Sequence, residues 1–337
     1  MLLFIILAIV SFIIAQLIAI EKKQREIWSI GIYTMQVSPE QIKIIPHPKA
    51  HNPVLTAKDV RDCKAQFVAD PFLVQKNGHY YLFFEVYSNK GAIGLAKSSD
   101  GITWNYGKII LEEPFHLSYP FVFQHVGQYY MIPESFQTNS IRLYKAINFP
   151  TSWVFIKTLI SGKDFVDTTI TFSENKWWLF TSTTNNADLY LYYTDTLEGP
   201  WFEHPKNPIV QGDIKRARCG GNILKLNGKL IRLAQDDFSY HNDPLCDYGN
   251  AVRALEIIKL STTDYLEKER KESPLIFATG KRWNKDGMHH FSTCGTPDIE
   301  QLVCVDGKIM VNTYQLRLRM PRLIGKVLSD LSRTLKR

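Results

Sequence analysis

One hairpin, repeated along the chain, constrains the fold more than any other feature. Residues 69–85 read ADPFLVQKNGHYYLFFE, two apolar runs on either side of Asn77-Gly78. Asn-Gly is a strong hairpin signal, because both central residues of a type I′ turn need positive φ. Residues 119–134 (YPFVFQHVGQYYMIPE), 167–182 (DTTITFSENKWWLFTS) and 220–236 (GGNILKLNGKLIRLAQD) repeat the pattern. Residues 299–314 (IEQLVCVDGKIMVNTY) are a weaker fifth copy.

Between the hairpins the sequence supplies two further strands. A third strand follows at residues 93–97, 141–145, 189–193 and 252–256. A fourth is marked by Trp104, Trp153, Trp201 and Trp283. Four strands recurring about every 50 residues describe a propeller blade. Five anchors, at Asp70, Tyr119, Asp167, Gly220 and His289-His290, predict an all-β, five-bladed β-propeller over residues 28–318. In the last blade residues 315–318 are expected as third strand and residues 28–33 as fourth. Pairing first and last segments closes the ring and removes a free sheet edge.

The ends differ from the middle. Residues 1–20 carry no charged side chain and are long enough for a transmembrane helix. Lys22, Lys23 and Arg25 follow in a short basic linker over residues 21–27. With no Lys or Arg before it, this single-pass anchor places the rest of the chain in the cytoplasm by the positive-inside rule. Residues 319–337 predict a short basic amphipathic helix, with Ile324, Val327, Leu328, Leu331 and Leu335 on one face. That helix either packs on the domain or lies on a membrane interface.

Net charge is +7, and much of the excess sits at the two ends. The middle has no basic run, so a membrane surface is a better partner than nucleic acid. The five cysteines, Cys63, Cys219, Cys246, Cys294 and Cys304, show no C-x-x-C spacing and read as ordinary thiols. There is no P-loop, dinucleotide fingerprint or H-E-x-x-H. No metal or cofactor is expected.

Hairpin arithmetic points to a site. Residues equidistant from a hairpin turn lie opposite each other. This pairs Asp70 with Glu85, Tyr119 with Glu134, Asp167 with Ser182 and Cys219 with Asp236. Asp70, Glu85, Glu134, Asp167 and Asp236 then share one rim of the propeller, around the channel mouth. His289 and His290 enter from the fifth blade. Such a ring of carboxylates offers either glycoside chemistry or a structural lattice of strand-end caps. Lys215, Arg216 and Arg218 precede the fourth hairpin on the same rim, and Arg218 is the candidate for an anionic group. Phe84, Tyr87, Tyr119, Phe121 and Tyr240 accompany the acids, as core or as sugar-stacking rings.

Several stretches carry a resemblance: VADPF at 68–72, FFE at 83–85, FHLSYP at 115–120, MIPES at 131–135, WWLFT at 177–181, GPW at 199–201 and GMHH at 287–290. Together they resemble the N-terminal propeller domain of plant glucosamine inositolphosphorylceramide transferases and its bacterial relatives. The likeness runs from about residue 28 to about residue 314. It implies the propeller fold and a link to glycans or glycolipids. In the plant proteins glycosyl transfer resides in a separate C-terminal domain, so the resemblance does not imply transfer by this segment.

More distantly, Asp70-Pro71 and the GPW strand resemble five-bladed propellers of the arabinanase, levansucrase and invertase type. That resemblance implies a base or nucleophile at Asp70. It also leads one to expect an Asp on the second blade and a Glu on the third, where this chain has Tyr119 and Asp167. Glu134 is placed to substitute in space.

These readings give three expectations. The first is a membrane-anchored propeller that binds a carbohydrate or glycolipid head group, beside a separate glycosyltransferase. Its binding residues are Glu85, Tyr119, Arg218, Asp236, His289 and His290. The second is a glycoside hydrolase or glycosyl-transferring enzyme using Asp70 with Glu134 or Asp167. The third is a scaffold with no ligand at the rim.

Overall fold

The computed structural model describes residues 18–38, 41–238, 248–294 and 300–318. Its strands are β1 (Ile18–Val37), β2 (Ile42–Pro46), β3 (Phe67–Lys76), β4 (His79–Tyr87), β5 (Gly91–Ser98) and β6 (Asn105–Leu111). β7 (Ser118–His125), β8 (Gln128–Glu134), β9 (Ser140–Asn148) and β10 (Ser152–Ser161) follow. Then come β11 (Phe165–Ser173), β12 (Lys176–Thr183), β13 (Leu189–Thr194), β14 (Phe202–Glu203) and β15 (Leu224–Leu226). The last are β16 (Lys229–Asp236), β17 (Ala251–Leu260), β18 (Tyr265–Glu269), β19 (Ile276–Phe277), β20 (Phe291–Thr293) and β21 (Glu300–Leu318).

These strands form five antiparallel sheets: β3-β4-β5-β6, β7-β8-β9-β10, β11-β12-β13-β14, β15-β16-β17-β18 with β19 beside β17, and β20-β21-β1-β2. They are blades one to five of an all-β propeller. Four of the hairpin turns are as the sequence predicts. Both central residues have positive φ at Asn77-Gly78, Val126-Gly127, Glu174-Asn175 and Asn227-Gly228.

Apolar side chains pack between neighbouring blades. Phe83, Ile93, Val122, Tyr144 and Trp153 join blades one and two. Leu224, Leu233, Val252, Phe291 and Val303 join four and five, and Ile30, Ile32, Leu82, Phe84 and Cys304 join five and one. Sheets buried on both faces need continuous apolar runs, which is why the hairpins look so apolar. Three of the marker tryptophans share one device at the entry to the outer strand. Trp104, Trp153 and Trp201 donate their indole N–H to the carbonyls of Gly101, Pro150 and Leu197, at 3.1, 2.9 and 3.2 Å. Trp283 does not belong to this set. It sits in a short 3-10 turn, and the outer strand of blade four is β18.

Blade five departs most from expectation. The Asp306-Gly307 pair is not a turn, because β21 runs straight through it. The inner strand is β20, with Phe291 opposite Val305 and Thr293 opposite Val303. β1 is the third strand and β2 the fourth, so the N-terminus supplies two strands rather than one. Residues 315–318 are the end of β21. Gly307 is required by packing: a Cβ there would meet Asn284 Cβ at 2.4 Å and the Trp283 ring at 2.7 Å.

Residues 27–309 form one compact unit. The other described segments, residues 18–26 and 310–318, belong to a second unit, where the Thr313 hydroxyl donates to the Lys23 carbonyl at 3.1 Å. The basic stretch 21–27, expected as a linker, is therefore strand. Residues 18–20 of the expected anchor are strand as well, and the rest of it lies outside the described residues. So do the expected C-terminal helix, Tyr240 and Cys246. Among the described residues no helix is long and apolar enough to cross a membrane. The described cysteines are free, with Cys219 and Cys304 buried.

Candidate functional site

The inner strands of the first three blades share one distortion. Asp70, Tyr119 and Asp167 occupy matching positions and have φ of 52°, 42° and 47°. Left-handed backbone at a non-glycine residue costs on the order of 1 kcal/mol, and it recurs where the fold over-determines it. Each residue lies in a bulge, where the register slips by one. The partner of Glu85 is therefore Ala69, that of Glu134 is Ser118, and that of Ser182 is Val166. In blade four Cys219 faces Ala234 rather than Asp236. The simple mirror pairing is corrected in blades one to four, yet Asp167 and Glu134 still meet at Arg218.

Tyr119 and His290, expected as binding residues, instead close the axis. The Tyr119 hydroxyl accepts the Gly221 N–H at 2.9 Å and donates to the Gly221 carbonyl at 3.1 Å. Thr169 Oγ1 is 2.8 Å from the same hydroxyl. His290 Nε2 is 3.0 Å from the Pro71 carbonyl, and its ring packs edge-on against Phe72 and Tyr119. Burial holds the His290 ring neutral, down to about 4. Phe84 and Phe121 are core residues. Tyr87 stacks on Phe67, with ring centroids 4.7 Å apart.

Beside this layer lies a cluster of buried charges. Arg218 bridges two blades. Its Nε donates to Asp167 Oδ2 at 2.6 Å, Nη2 to Glu134 Oε2 at 3.2 Å, and Nη1 to Asn186 Oδ1 at 2.9 Å. The Gln235 amide also donates to Asp167 Oδ2. His289 bridges the other pair, with Nδ1 2.8 Å from Asp306 Oδ2 and Nε2 3.4 Å from Asp70 Oδ1. The ring lies on Trp28, centroids 4.1 Å apart, and against Tyr248. Asp306 accepts the backbone N–H groups of Asp70, His289 and His290 at 3.0–3.1 Å. The Tyr119 N–H donates to Asp70 Oδ2 at 3.2 Å. These bonds tie blades five, one and two together at the axis.

Burial controls the electrostatics. It raises Asp70 to about 7, with His289 opposing. It also raises Glu134 well above the carboxylate range, assisted by Asp167. Glu85 rises in the same way, through burial and then the charges of Asp70, Glu134, Asp167 and Asp306. Burial disfavours a charged His289, yet Asp306 and then Asp70 outweigh it and raise the ring to about 9. Burial would raise Asp306, but His289 and the converging N–H groups hold it low.

Asp236 is not in this cluster. It is fully buried against Arg253, whose Nη2 lies 2.6 Å from Oδ2. Asp237 takes the place expected for it. Its Oδ1 accepts the Gly249 N–H at 2.8 Å, and burial raises it to about 6 with Arg218 and His289 opposing. Asp237, Asp306, His116, Gln235 and Tyr248 are the members that sequence reasoning missed. Lys215 lies over the Phe238 ring, 4.0 Å from its centroid.

Asp70, His289 and Asp306 present ligand atoms within 4.8 Å of one another, the one such group among the described residues. His289 lies between the two carboxylates, and their charges favour its protonated form. Two surface cavities, about 430 Å³ beside Asp62 and Lys90 and about 630 Å³ beside Glu256 and Arg270, lie on outer strands rather than at the axis.

Comparison with known proteins agrees with this architecture. The family described as "Glucosamine inositolphosphorylceramide transferase 1, N-terminal" matches residues 21–308. Glucosamine inositolphosphorylceramide transferase 1 of Arabidopsis thaliana is 36% identical over 306 residues, covering 83% of this chain and 39% of the relative. The protein of the same name in Oryza sativa subsp. japonica is 36% identical over 288 residues, covering 78% of this chain and 37% of the relative. The chain thus spans under two-fifths of the length of these relatives.

Among solved structures, the catalytic domain of a Coprinopsis cinerea GH62 α-L-arabinofuranosidase matches with a TM-score of 0.53 and 14% identity, covering 73% of this chain and 92% of that one. The native Bacillus subtilis arabinanase matches with a TM-score of 0.50 and 16% identity, covering 71% and 93%. At these identities the likeness concerns the fold. The sequence match is of another order, and this chain belongs to the glucosamine inositolphosphorylceramide transferase 1 N-terminal family.

Proposed function

We propose that the axial cluster binds a carbohydrate, as the head group of a glycolipid, and that the protein serves glycan or glycolipid metabolism beside a separate glycosyltransferase. The observation that carries this reading is a pair of orphaned acceptors. Asp167 Oδ1 is buried with no hydrogen-bond donor among the described residues, and Asp70 Oδ1 is buried and faces the His289 ring at 3.4 Å without a hydrogen bond. Buried acceptors without donors cost about 1–3 kcal/mol each, and sugar hydroxyls are the donors that relieve it. The uncharged stretch over residues 1–20 supports a membrane location. Titration calorimetry against monosaccharides and inositol phosphate tests the reading. Saturable binding that is lost in the Asp70→Asn, Asp167→Asn double variant supports it, and no heat with any of them refutes it.

Glycoside cleavage is the second reading. Glu134 favours it, because a carboxyl that holds its proton is what a general acid requires. Blade two speaks for binding alone. Tyr119 stands where a second carboxylate is expected, and its hydroxyl is committed to Gly221. Turnover of aryl glycosides that disappears in Glu134→Gln and Asp70→Asn would favour the enzyme.

A further inference from the structure

Residues 18–26 of β1 and 310–318 of β21 form a unit of their own, a two-stranded ribbon. The strands are neighbours in one sheet, and the Thr313 hydroxyl donates to the carbonyl of Lys23, 290 residues away in the chain. Further along the same two strands, Lys308 lies over the Trp28 ring, 5.3 Å from its centroid. Numbering falls along β21 as it rises along β1, so the strands are antiparallel. The start of β1 and the end of β21 therefore share one end of the ribbon. Residues 1–17 lead into that end and residues 319–337 lead out of it.

The two flanks differ in chemistry. Residues 1–17 carry no charged side chain, whereas residues 319–337 carry six Lys or Arg against Asp330 alone. The ribbon itself exposes Lys22, Lys23 and Arg25 on β1, and Tyr314 on β21 with 67% of its surface open. Successive strand residues point to opposite faces, so Lys22 and Lys23 put charge on both sides of the ribbon. An exposed tyrosine beside such lysines suits a lipid head-group layer, where the ring is covered and the hydroxyl stays wet. Sequence alone leaves the C-terminal stretch free to pack on the domain or to meet a membrane. The ribbon brings the start of that stretch to the same point as the end of the uncharged one.

We infer that the ribbon stands on the surface of a bilayer containing acidic phospholipids, which holds both ends of the chain at one place. The inference is independent of the carbohydrate reading. It adds an interfacial contact to the membrane location that residues 1–20 support. Basic side chains are drawn to an acidic leaflet within a Debye length, about 8 Å at physiological salt. The uncharged stretch calls for a hydrocarbon layer at the same end of the ribbon, which neither a nucleic acid nor an acidic protein surface offers. Charge on both faces suits a ribbon that meets the bilayer by its end, since a flat approach leaves one of the two lysines in water. A neutral bilayer would serve the uncharged stretch but not the lysines.

Covalent labelling of the full chain in lipid nanodiscs tests this, with phosphatidylcholine discs set against discs in which about a third of the lipid is phosphatidylglycerol. Acetic anhydride acetylates Lys22 and Lys23, nitration marks Tyr314, and an added lysine peptide serves as the rate standard. Labelling at all three residues should be roughly fivefold slower in the acidic discs at low salt. Sodium chloride at about 0.5 M should restore the lysine rates, because it shortens the Debye length to roughly 4 Å. These readouts use wild type alone and do not depend on any variant folding. The Lys22→Gln, Lys23→Gln, Arg25→Gln triple variant should label at Tyr314 equally fast in both kinds of disc. Equal wild-type rates in the two discs, or a slowing that salt leaves in place, overturns the inference. The same slowing produced by duplex DNA added to neutral discs reassigns the ribbon to nucleic acid and overturns it as well.

Discussion

Asp236 and Asp237 are neighbours in the chain whose carboxyls serve different structures. Asp236 locks Arg253 inside blade four, while Asp237 joins the charge cluster at the axis. Asp236→Asn should therefore cost about 3–5 kcal/mol, the range for breaking a buried pair. Asp237→Asn should leave stability unchanged or raise it by roughly 1 kcal/mol at neutral pH, since it removes a carboxyl that burial disfavours. Urea unfolding of the two variants separates the roles. Equal losses would show that the carboxyls share one environment.

How far the sequence could be read is clear from this pair. The four turns with paired positive φ, the inner and third strands of blades one to four, and the grouping of Asp70, Glu134, Asp167 and Arg218 were legible. Hairpin pairing by counting from the turn assumes an unbroken ladder. The inner strands of blades one to three carry a bulge and blade four pairs Cys219 with Ala234, so the count slips just where the site begins. Counting therefore chose Asp236, while the chain turns Asp237 to the axis. Asp306 was hidden for another reason. Asp-Gly is a turn signal, but Gly307 is there because Trp283 and Asn284 crowd its α-carbon. A local rule met a packing constraint that only the fold reveals. Tyr119 matched the position of an acid but not its chemistry, and nothing local shows its hydroxyl reaching Gly221 in blade four.

Arg218 holds two blades through two carboxylates, Asp167 in β11 and Glu134 in β8. Arg218→Met should lose about 3–5 kcal/mol, because it strands buried carboxyls without a partner. Arg218→Lys should recover only part of that loss, since one ammonium cannot reproduce the three-way fork to Asp167, Glu134 and Asn186. Thermal unfolding of both variants, with native-state hydrogen exchange at β8 and β11, would locate the damage. A lysine variant as stable as wild type would mean that the fork geometry is unimportant.

Two glycines with positive φ should respond very differently to alanine. At Gly228, in the exposed turn of blade four, nothing lies within 4 Å of an added Cβ. The backbone conformation alone then sets a cost of about 1 kcal/mol. At Gly221 the added Cβ would lie 1.9 Å from the Phe291 carbonyl, and φ is 145°. Gly221 also bridges to Phe291 of blade five and bonds Tyr119 of blade two. Gly221→Ala should therefore give little or no folded protein. Soluble expression and near-ultraviolet circular dichroism of the two variants would decide it, and similar behaviour would refute the closed axial layer.

The cluster should also set how stability depends on pH, with a sign opposite to that of ordinary salt-bridged carboxylates. Burial raises Asp70 to about 7 and Asp237 to about 6, and moves Glu85 and Glu134 the same way. The unfolded values lie at about 4 for both Asp and Glu. Between about pH 4 and 7 the folded protein therefore binds more protons than the unfolded chain, and its stability falls as pH rises. His289 extends the decline. Its folded value of about 9 lies above the unfolded value of about 6.5, so its contribution is complete below that value and lost as pH rises to about 9. Asp306 works the other way, because its folded value is lowered. Its contribution is present above about pH 4 and lost as acid protonates it, which limits stability at the low end. The melting temperature should peak near pH 5 and decline toward pH 9, with roughly 1.4 kcal/mol at stake for each unit of displacement. Asp70→Asn should flatten the acidic part of the decline, and His289→Gln the alkaline part. Calorimetric melting of the three proteins from about pH 4 to 9 checks both windows. A melting temperature that climbs steadily from pH 5 to 8 would mean that the axial acids are ionised in the folded protein.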